Sequence, residues 1–366
     1  MLINQSTLQA ACARLMPIIP SRPALPELES ILIANNQEGT RLRATNNTDH
    51  LEVFLPRPEP IGAIAKLLAK PVNPESFIID ASVLSKCAKA ADADTNVEIT
   101  ADSITIQMEG STSVIPCSQA EQFPDLPNFQ SSPSVRLDSE VVARCLRCVS
   151  KDEGRVALQG VFWQGSAIVA TDGRRMHMEK KQPECPAPEG LIIQTHIAKL
   201  LKGSMDIQIN PTYYRASAQE AGLEVQITAK LSDLQYPNWV KILPEPSTNT
   251  MRFDPKAIQN AIEKLANTQA KEKEKVTPSV TLCPNGDSII LDMRGRTITI
   301  PAILTGKPQA ISLNSQYLLD AIKCGGDTIQ VDSDNTPAVV TGHRAMLHLI
   351  MPVRTSPVEA PKKVAV

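Results

Sequence analysis

The chain runs to 366 residues, 42% of them hydrophobic, with a formal net charge of −2. That length exceeds a single hydrophobic core and predicts two or three domains. The near-neutral balance excludes a protein that holds nucleic acid by sheer positive excess, so any attraction to phosphate has to come from charge placement. No apolar run reaches the roughly 18 residues of a membrane span, and MLINQSTLQAA lacks a basic stretch before an apolar core, so the expectation is a cytoplasmic protein with no membrane partner.

In chain order, one unit recurs six times: a short β-like run, a capping residue, then an amphipathic helix. LINQSTLQAACARL (2–15) is capped by Asn4, FIIDASVLSKCAKAA (77–91) by Asp80 and VRLDSEVVARCLRCV (135–149) by Asp138. LIIQTHIAKLLKG (191–203) has the weaker Gln194, MRFDPKAIQNAIEKL (251–265) has Asp254 followed by Pro255, and AISLNSQYLLDAIKC (310–324) has Asn314. Asn and Asp suit these places because they accept from the free N–H groups of a first turn, and proline there sacrifices no bond. The spacings pair the six units into three domains of two helices each, with boundaries at 1–125, 126–246 and 247–355.

Further landmarks recur at a similar interval. RLRATNNTDHLEVFL (41–55) aligns with AIVATDGRRMHMEKK (167–181), and QFPDLPNF (122–129) echoes QYPNWVKILP (235–244). Alternating stretches such as NVEITADSITIQME and GLEVQITAKL read as half-buried antiparallel strands. The fold class is therefore α+β, three copies of a β-rich domain. PDLPNFQSSPS and LPEPSTNT read as linkers, QAKEKEKVTP (269–278) as a solvated loop, and residues 356–366 as a disordered tail.

The helices are basic in a slightly acidic chain. They carry Arg14, Lys86, Lys89, Arg144, Arg147, Lys199, Lys202, Lys256, Lys264 and Lys323 against Glu140, Glu263 and Asp320. A lysine on one helix merely solvates a face; the same bias on six repeated helices predicts one surface facing a phosphate backbone. Aromatics at 3% are too few for a base-stacking platform, which leaves sequence-blind contact with duplex.

No catalytic motif is present. TGKPQ (305–309) lacks the first glycine and the hydroxyl of a phosphate-binding loop, and no H-E-x-x-H or G-x-S-x-G occurs. Cys145 and Cys148 form a lone C-x-x-C, read as reduced helix residues, with no second pair to complete a zinc site. Among His50, His177, His196, His343 and His348 only the last two are close in sequence, and five apart on a β-like run they fall on opposite faces. Neither a metal nor a cofactor is expected, and an enzyme of unrecognised chemistry is the minor reading. IVATDGRRMH (168–177), taken alone, reads as a plain hairpin with its arginines in solvent.

Together, ATDGRRM, FPDLP, YPNWVKILP and IMPVR, in this order from residue 1 to about 355, resemble the β subunit of bacterial DNA polymerase III, the sliding-clamp family. The resemblance implies a DNA clamp fold: two chains of three domains joined head to tail as a homodimer ring around duplex DNA, non-catalytic, with the helices inside. Arg22 joins the ten helix cations as a DNA-facing candidate. It also implies a pocket for short apolar peptides, some ending in Leu-Phe, from DNA polymerase, the clamp-loader ATPase and other partners. Carried over by motif, its lining is Leu158, Thr171, Gly173, Arg174, Arg175, Met176, Pro237, Lys241, Ile242, Leu349, Met351, Pro352, Val353 and Arg354, with Arg174 and Arg175 offering guanidinium forks to a peptide.

Departures from the family pattern touch partner choice. Arg174 replaces a usual histidine, Met176 a leucine and Lys241 an arginine; Thr195 and His196 stand where basic residues are common. Tyrosines used by some members near Val156 and Ala157 are missing, and the residues after Thr355 are additional. An accessory or mobile-element clamp is the alternative within the same family.

Overall fold

The computed structural model describes residues 2–56, 75–91, 96–100, 103–108, 111–130, 132–267, 279–342 and 344–354. The expected loop at 269–278, the tail at 356–366 and His343 lie outside them. By contact the chain divides into two compact units, Met1–Ser139 with Lys199–Ser232 and Glu140–Ala198 with Asp233–Val366. The second of the three sequence repeats contributes strands to both.

All six strand–cap–helix units form. The helices are α1 (Gln5–Leu15), α2 (Ala81–Ala90), α3 (Ser139–Cys145), α4 (Thr195–Ala198), α5 (Pro255–Asn267) and α6 (Ser315–Lys323). Asn4 accepts from Ser6 N at 3.0 Å, Asp80 from Val83 N at 2.7 Å, Asp254 from Lys256 N at 3.2 Å, and Asn314 from Gln316 N at 3.0 Å. The buried stripe also repeats: Leu8, Ala11, Cys12 and Leu15 in α1, Ala81, Leu84, Ser85 and Ala88 in α2, Ile258, Ala261, Ile262 and Leu265 in α5. Spacing of i, i+3, i+4, i+7 puts each set on one face, and each large aliphatic so buried contributes about 1.5–3 kcal/mol. The exception is α4, a single turn. Gln194 is a poor cap, and the Thr195 hydroxyl donates to the Gln159 carbonyl instead of serving the helix.

In the first unit a nine-stranded antiparallel sheet runs in the order 135–138, 204–209, 213–220, 223–230, 50–56, 39–45, 30–35, 75–80, 118–119. Its middle pairing, Val225 against Val53, joins a second-repeat strand to a first-repeat strand. In the second unit a twelve-stranded array runs 191–194, 160–164, 167–171, 175–179, 346–350, 338–342, 326–330, 250–253, 296–305, 288–293, 279–285, 311–314. Here Met176 against Leu349 joins the second repeat to the third. Both junctions are made by backbone ladders. The third repeat's core gathers Ile258, Ile262 and Leu265 of α5 and Leu318 and Ile322 of α6 against Leu282, Leu291, Leu313 and Ile329 of the strands.

The recurring aromatic-proline steps do the same job twice. Phe123 is buried with Leu32 and Ile78 in the first unit, and Tyr236 is buried against Phe162 in the second, their rings stacked 4.5 Å apart. The hairpin turn after Thr45 closes on its own hydroxyl, which donates to Asp49 O at 2.8 Å and accepts from Asn47 N at 3.0 Å. Asn46 Oδ1 takes the N–H groups of Thr48 and Asp49 at 2.9 and 2.8 Å, and Asn47 has φ +81°.

Candidate functional site

The strands Ala167–Thr171 and Arg175–Glu179 pair as a hairpin, as ATDGRRM alone predicts, with Thr171 opposite Met176. The Thr171 hydroxyl donates to Arg175 O at 2.7 Å and accepts from Gly173 N at 3.1 Å; Asp172 Oδ1 takes the N–H groups of Arg174 and Arg175 at 2.9 and 3.0 Å. Gly173 sits at φ +86°, where a Cβ would be strained and would lie 2.5 Å from Arg155 Nη1.

Because side chains alternate along a strand, Arg175–Glu179 has two different faces. Met176 and Met178 point into an apolar cluster with Leu158, Phe162, Val169, Tyr236, Trp239 and Leu349. Tyr236 accepts from Thr171 N at 3.1 Å through its hydroxyl and the Trp239 indole donates to Gln164 Oε1 at 3.1 Å, so both polar tips are satisfied. Exposed apolar side chains stand on the segments that carry this floor: Val240 (55% exposed), Ile242 (50%), Met351 (43%) and Val353 (38%). Met351 N donates to Arg174 O at 2.9 Å, which ties that rim to the turn.

The sequence-derived lining therefore splits by depth. Leu158, Thr171, Met176 and Leu349 are buried; Arg175 and Pro352 are half-buried; Gly173, Arg174, Pro237, Lys241, Ile242, Met351, Val353 and Arg354 are exposed. Sequence reasoning missed Tyr236 and Trp239 as floor residues and Val240 as part of the rim. The signal was present in YPNWVKILP, where an aromatic-rich step leads into the short helical turn Trp239–Ile242.

Arg175 also has internal partners. Its guanidinium pairs with Asp172 at 3.0 Å and Asp320 at 2.6 Å, donates to the Arg147 carbonyl and lies 4.2 Å over the Tyr317 ring. A fork with three of its five N–H groups so occupied braces the turn against α6. Of the two turn arginines, Arg174 is the exposed one.

On the same polar face His177 and His348 are cross-strand partners, both fully buried, with ring centroids 5.4 Å apart. Glu179 bonds to His177 Nε2 at 3.2 Å and takes both forks of Arg144, one of them at 2.9 Å. Burial alone pushes the Glu179 carboxyl up, but the hydrogen bonds from Arg144 and His177 outweigh it and hold its pKa at about 2. Burial, with the nearby His177 and Arg175, keeps His348 neutral by pushing it well below the imidazole range. Among the described residues, His177, Cys324 and His348 are the group of metal-capable side chains that converges. None of the eight cysteines is in a disulfide.

The basic helices are corrected at two positions. Arg14 is buried, bonded to Glu220 at 3.0 Å and to the Leu200 carbonyl, and Arg144 is taken by Glu179. Neither offers charge to solvent, because each sits beside the helix's apolar stripe where an acid on another strand can reach it. In the first unit Arg22, Lys86, Lys89, Lys199 and Lys202 are exposed, and in the second Arg147, Lys256, Lys264 and Lys323. No helix among the described residues is long and apolar enough to cross a membrane.

No family model matches the chain. The Beta sliding clamp of Synechococcus elongatus is 24% identical over 384 residues, covering 96% of this chain and 98% of that protein. That of Halalkalibacterium halodurans is 23% identical over 380 residues, covering 92% and 94%. Among solved structures, the DNA polymerase sliding clamp of Bacillus subtilis matches with a TM-score of 0.79 at 21% identity, over 97% of this chain and 99% of that one. The DnaN sliding clamp of Bartonella birtlesii, solved bound to griselimycin, matches with a TM-score of 0.80 at 18% identity, over 97% and 99%. In sequence along nearly its whole length, and in fold, this chain is similar to the bacterial beta sliding clamps.

Proposed function

We propose that the chain works as a DNA sliding clamp, a non-catalytic processivity subunit whose three repeats, at 1–125, 126–246 and 247–355, double to six in a head-to-tail homodimer around duplex DNA. The observation that carries this reading is similarity to beta sliding clamps over 96% of the chain, with no repeat left out. Three repeats per chain make two the number of copies that gives six, and a two-fold closes such a ring. Exposed cations on repeated helices supply weak, sequence-blind contacts, which a sliding ring needs.

Partner peptides dock on the apolar rim of Ile242, Met351 and Val353, with Arg174 at its edge. Apolar side chains exposed together over a buried floor are the ordinary mark of a peptide groove. A fluorescent peptide ending in Leu-Phe tests it. Met351→Asp places a charge in the groove without touching the core and should weaken binding about tenfold or more; affinity equal to the parent would refute the docking site. For the ring, reversing Arg147, Lys199 and Lys202 to glutamate should shorten retention on circular duplex. Each lost phosphate contact should also flatten the salt dependence by about one unit of slope.

A further inference from the structure

The convergence of His177, His348 and Cys324 has no part in peptide docking, which lies on the other face of the strand. One donor atom from each of the three lies within 4.8 Å of the others, and all three side chains are buried. Each imidazole engages a neighbour through its Nε2 atom. His177 turns Nε2 to the Glu179 carboxylate at 3.2 Å, and His348 turns Nε2 to Cys148 Sγ at 3.7 Å. Both Nδ1 atoms are left buried with no hydrogen-bond partner. A fully buried ring nitrogen normally finds a partner, since water cannot serve it.

We propose that His177 Nδ1, His348 Nδ1 and Cys324 Sγ form a metal site for zinc. A carboxylate on Nε2 fixes the proton there and leaves Nδ1 as the lone-pair donor, which is how metal-bound histidines are commonly oriented. Glu179 is itself anchored by Arg144, so the orienting group is fixed in turn. Two imidazoles and one thiolate suit zinc in softness, and its bonds of about 2.0–2.3 Å draw ligands now within 4.8 Å slightly together. Binding releases the Cys324 thiol proton to solvent as the sulfur takes the metal. The site clips three elements: a second-repeat strand, a third-repeat strand and the residue that ends α6. No spacing rule could show it, because the ligands are 147 and 24 residues apart by number and meet only through the ladder of His177 with His348.

The test refolds the full chain with zinc or with cobalt, removes free metal, and measures metal content and the near-ultraviolet thiolate-to-cobalt band. The expected result is one metal per chain and a band that Cys324→Ser abolishes, while Cys283→Ser, in a half-buried strand position elsewhere in the same unit, keeps it. If Cys324→Ser does not refold, Cys324→Ala and His177→Asn give the same reading. Absence of stoichiometric metal from the refolded parent, or a full band in the folded Cys324 variant, would overturn the site.

Discussion

Two turns in this molecule are built from the same hydrogen bonds and put to different uses. Thr45 to Asp49 in the first repeat and Thr171 to Arg175 in the second each close on a threonine hydroxyl that spans the turn. Each has an Asx oxygen taking two successive N–H groups, and each has a left-handed middle residue, Asn47 at φ +81° or Gly173 at φ +86°. The variable residues decide the rest. At the last turn position Asp49 accepts from Lys230 N at 3.1 Å, whereas Arg175 reaches Asp320. In the next place His50 is buried with its Nδ1 unpaired, whereas Met176 floors an apolar cluster. Threonine and Asx fix the backbone; the last turn residue and the one that follows it assign the task.

The largest effect should come from the position after the turn. Met176→Asp puts a carboxylate where nothing can pair it, at 0% exposure, and should cost about 4 kcal/mol or more of stability by urea unfolding. Arg175→Ala takes from Asp172 its partner and leaves Asp320 only the more distant Arg147 at 3.9 Å, and should cost about 3 kcal/mol. Loss of peptide affinity from Arg175→Ala with stability unchanged would return the arginine to the groove and break the comparison.

A pH effect should separate the turns next. Burial first, then the charge of Arg43, lowers His50 to about 4, with Asp49 opposing. The unfolded chain therefore binds the extra proton between pH 6.5 and about 4, so this stabilisation is complete above 6.5 and fades as pH falls through that window. At pH 5 the loss is about 2 kcal/mol relative to neutral pH, and His50→Met, copying the second turn, should abolish that part of the acid sensitivity. A pH-stability profile unchanged by His50→Met would place the sensitivity elsewhere. The smallest effect sharpens the likeness: Thr45→Val and Thr171→Val each remove the spanning bond and should cost about 1 kcal/mol, nearly alike. A several-fold disparity between the two would mean the hydroxyls are not equivalent.

Those two turns were legible before the fold because Ala-Thr followed by Asn or Asp is a local device, readable within five residues. The caps Asn4, Asp80, Asp254 and Asn314 were legible for the same reason. Arg14 was not: its partner Glu220 is brought to it by a strand of another repeat, and a lysine-rich or arginine-rich helix gives no local sign of which cation will be claimed. The brace made by Arg175 was missed likewise, because Asp320 was counted as an acid of its own helix and not as a partner for a distant turn. The single-turn α4 shows the limit of the repeat itself. The unit's outline survived in LIIQTHIAKLLKG, but a glutamine cap and a threonine bonded elsewhere removed the first-turn support. The convergence of His177, His348 and Cys324 depends on strand register, which no spacing in the sequence states.

The pairing of the 50–56 strand with 223–230 has a consequence for synthesis. A ribosome delivers the chain from its N-terminus, so the edge of His50–Pro56 emerges long before the strand that covers it. Roughly 170 residues must follow, on the order of 10–30 s at about 5–20 residues per second. During that interval the nascent first repeat carries an open β-edge, the kind of surface that recruits a neighbouring chain. Holdases would find their client here, on polysomes where several copies wait at the same stage, and the mature protein would give no hint of it.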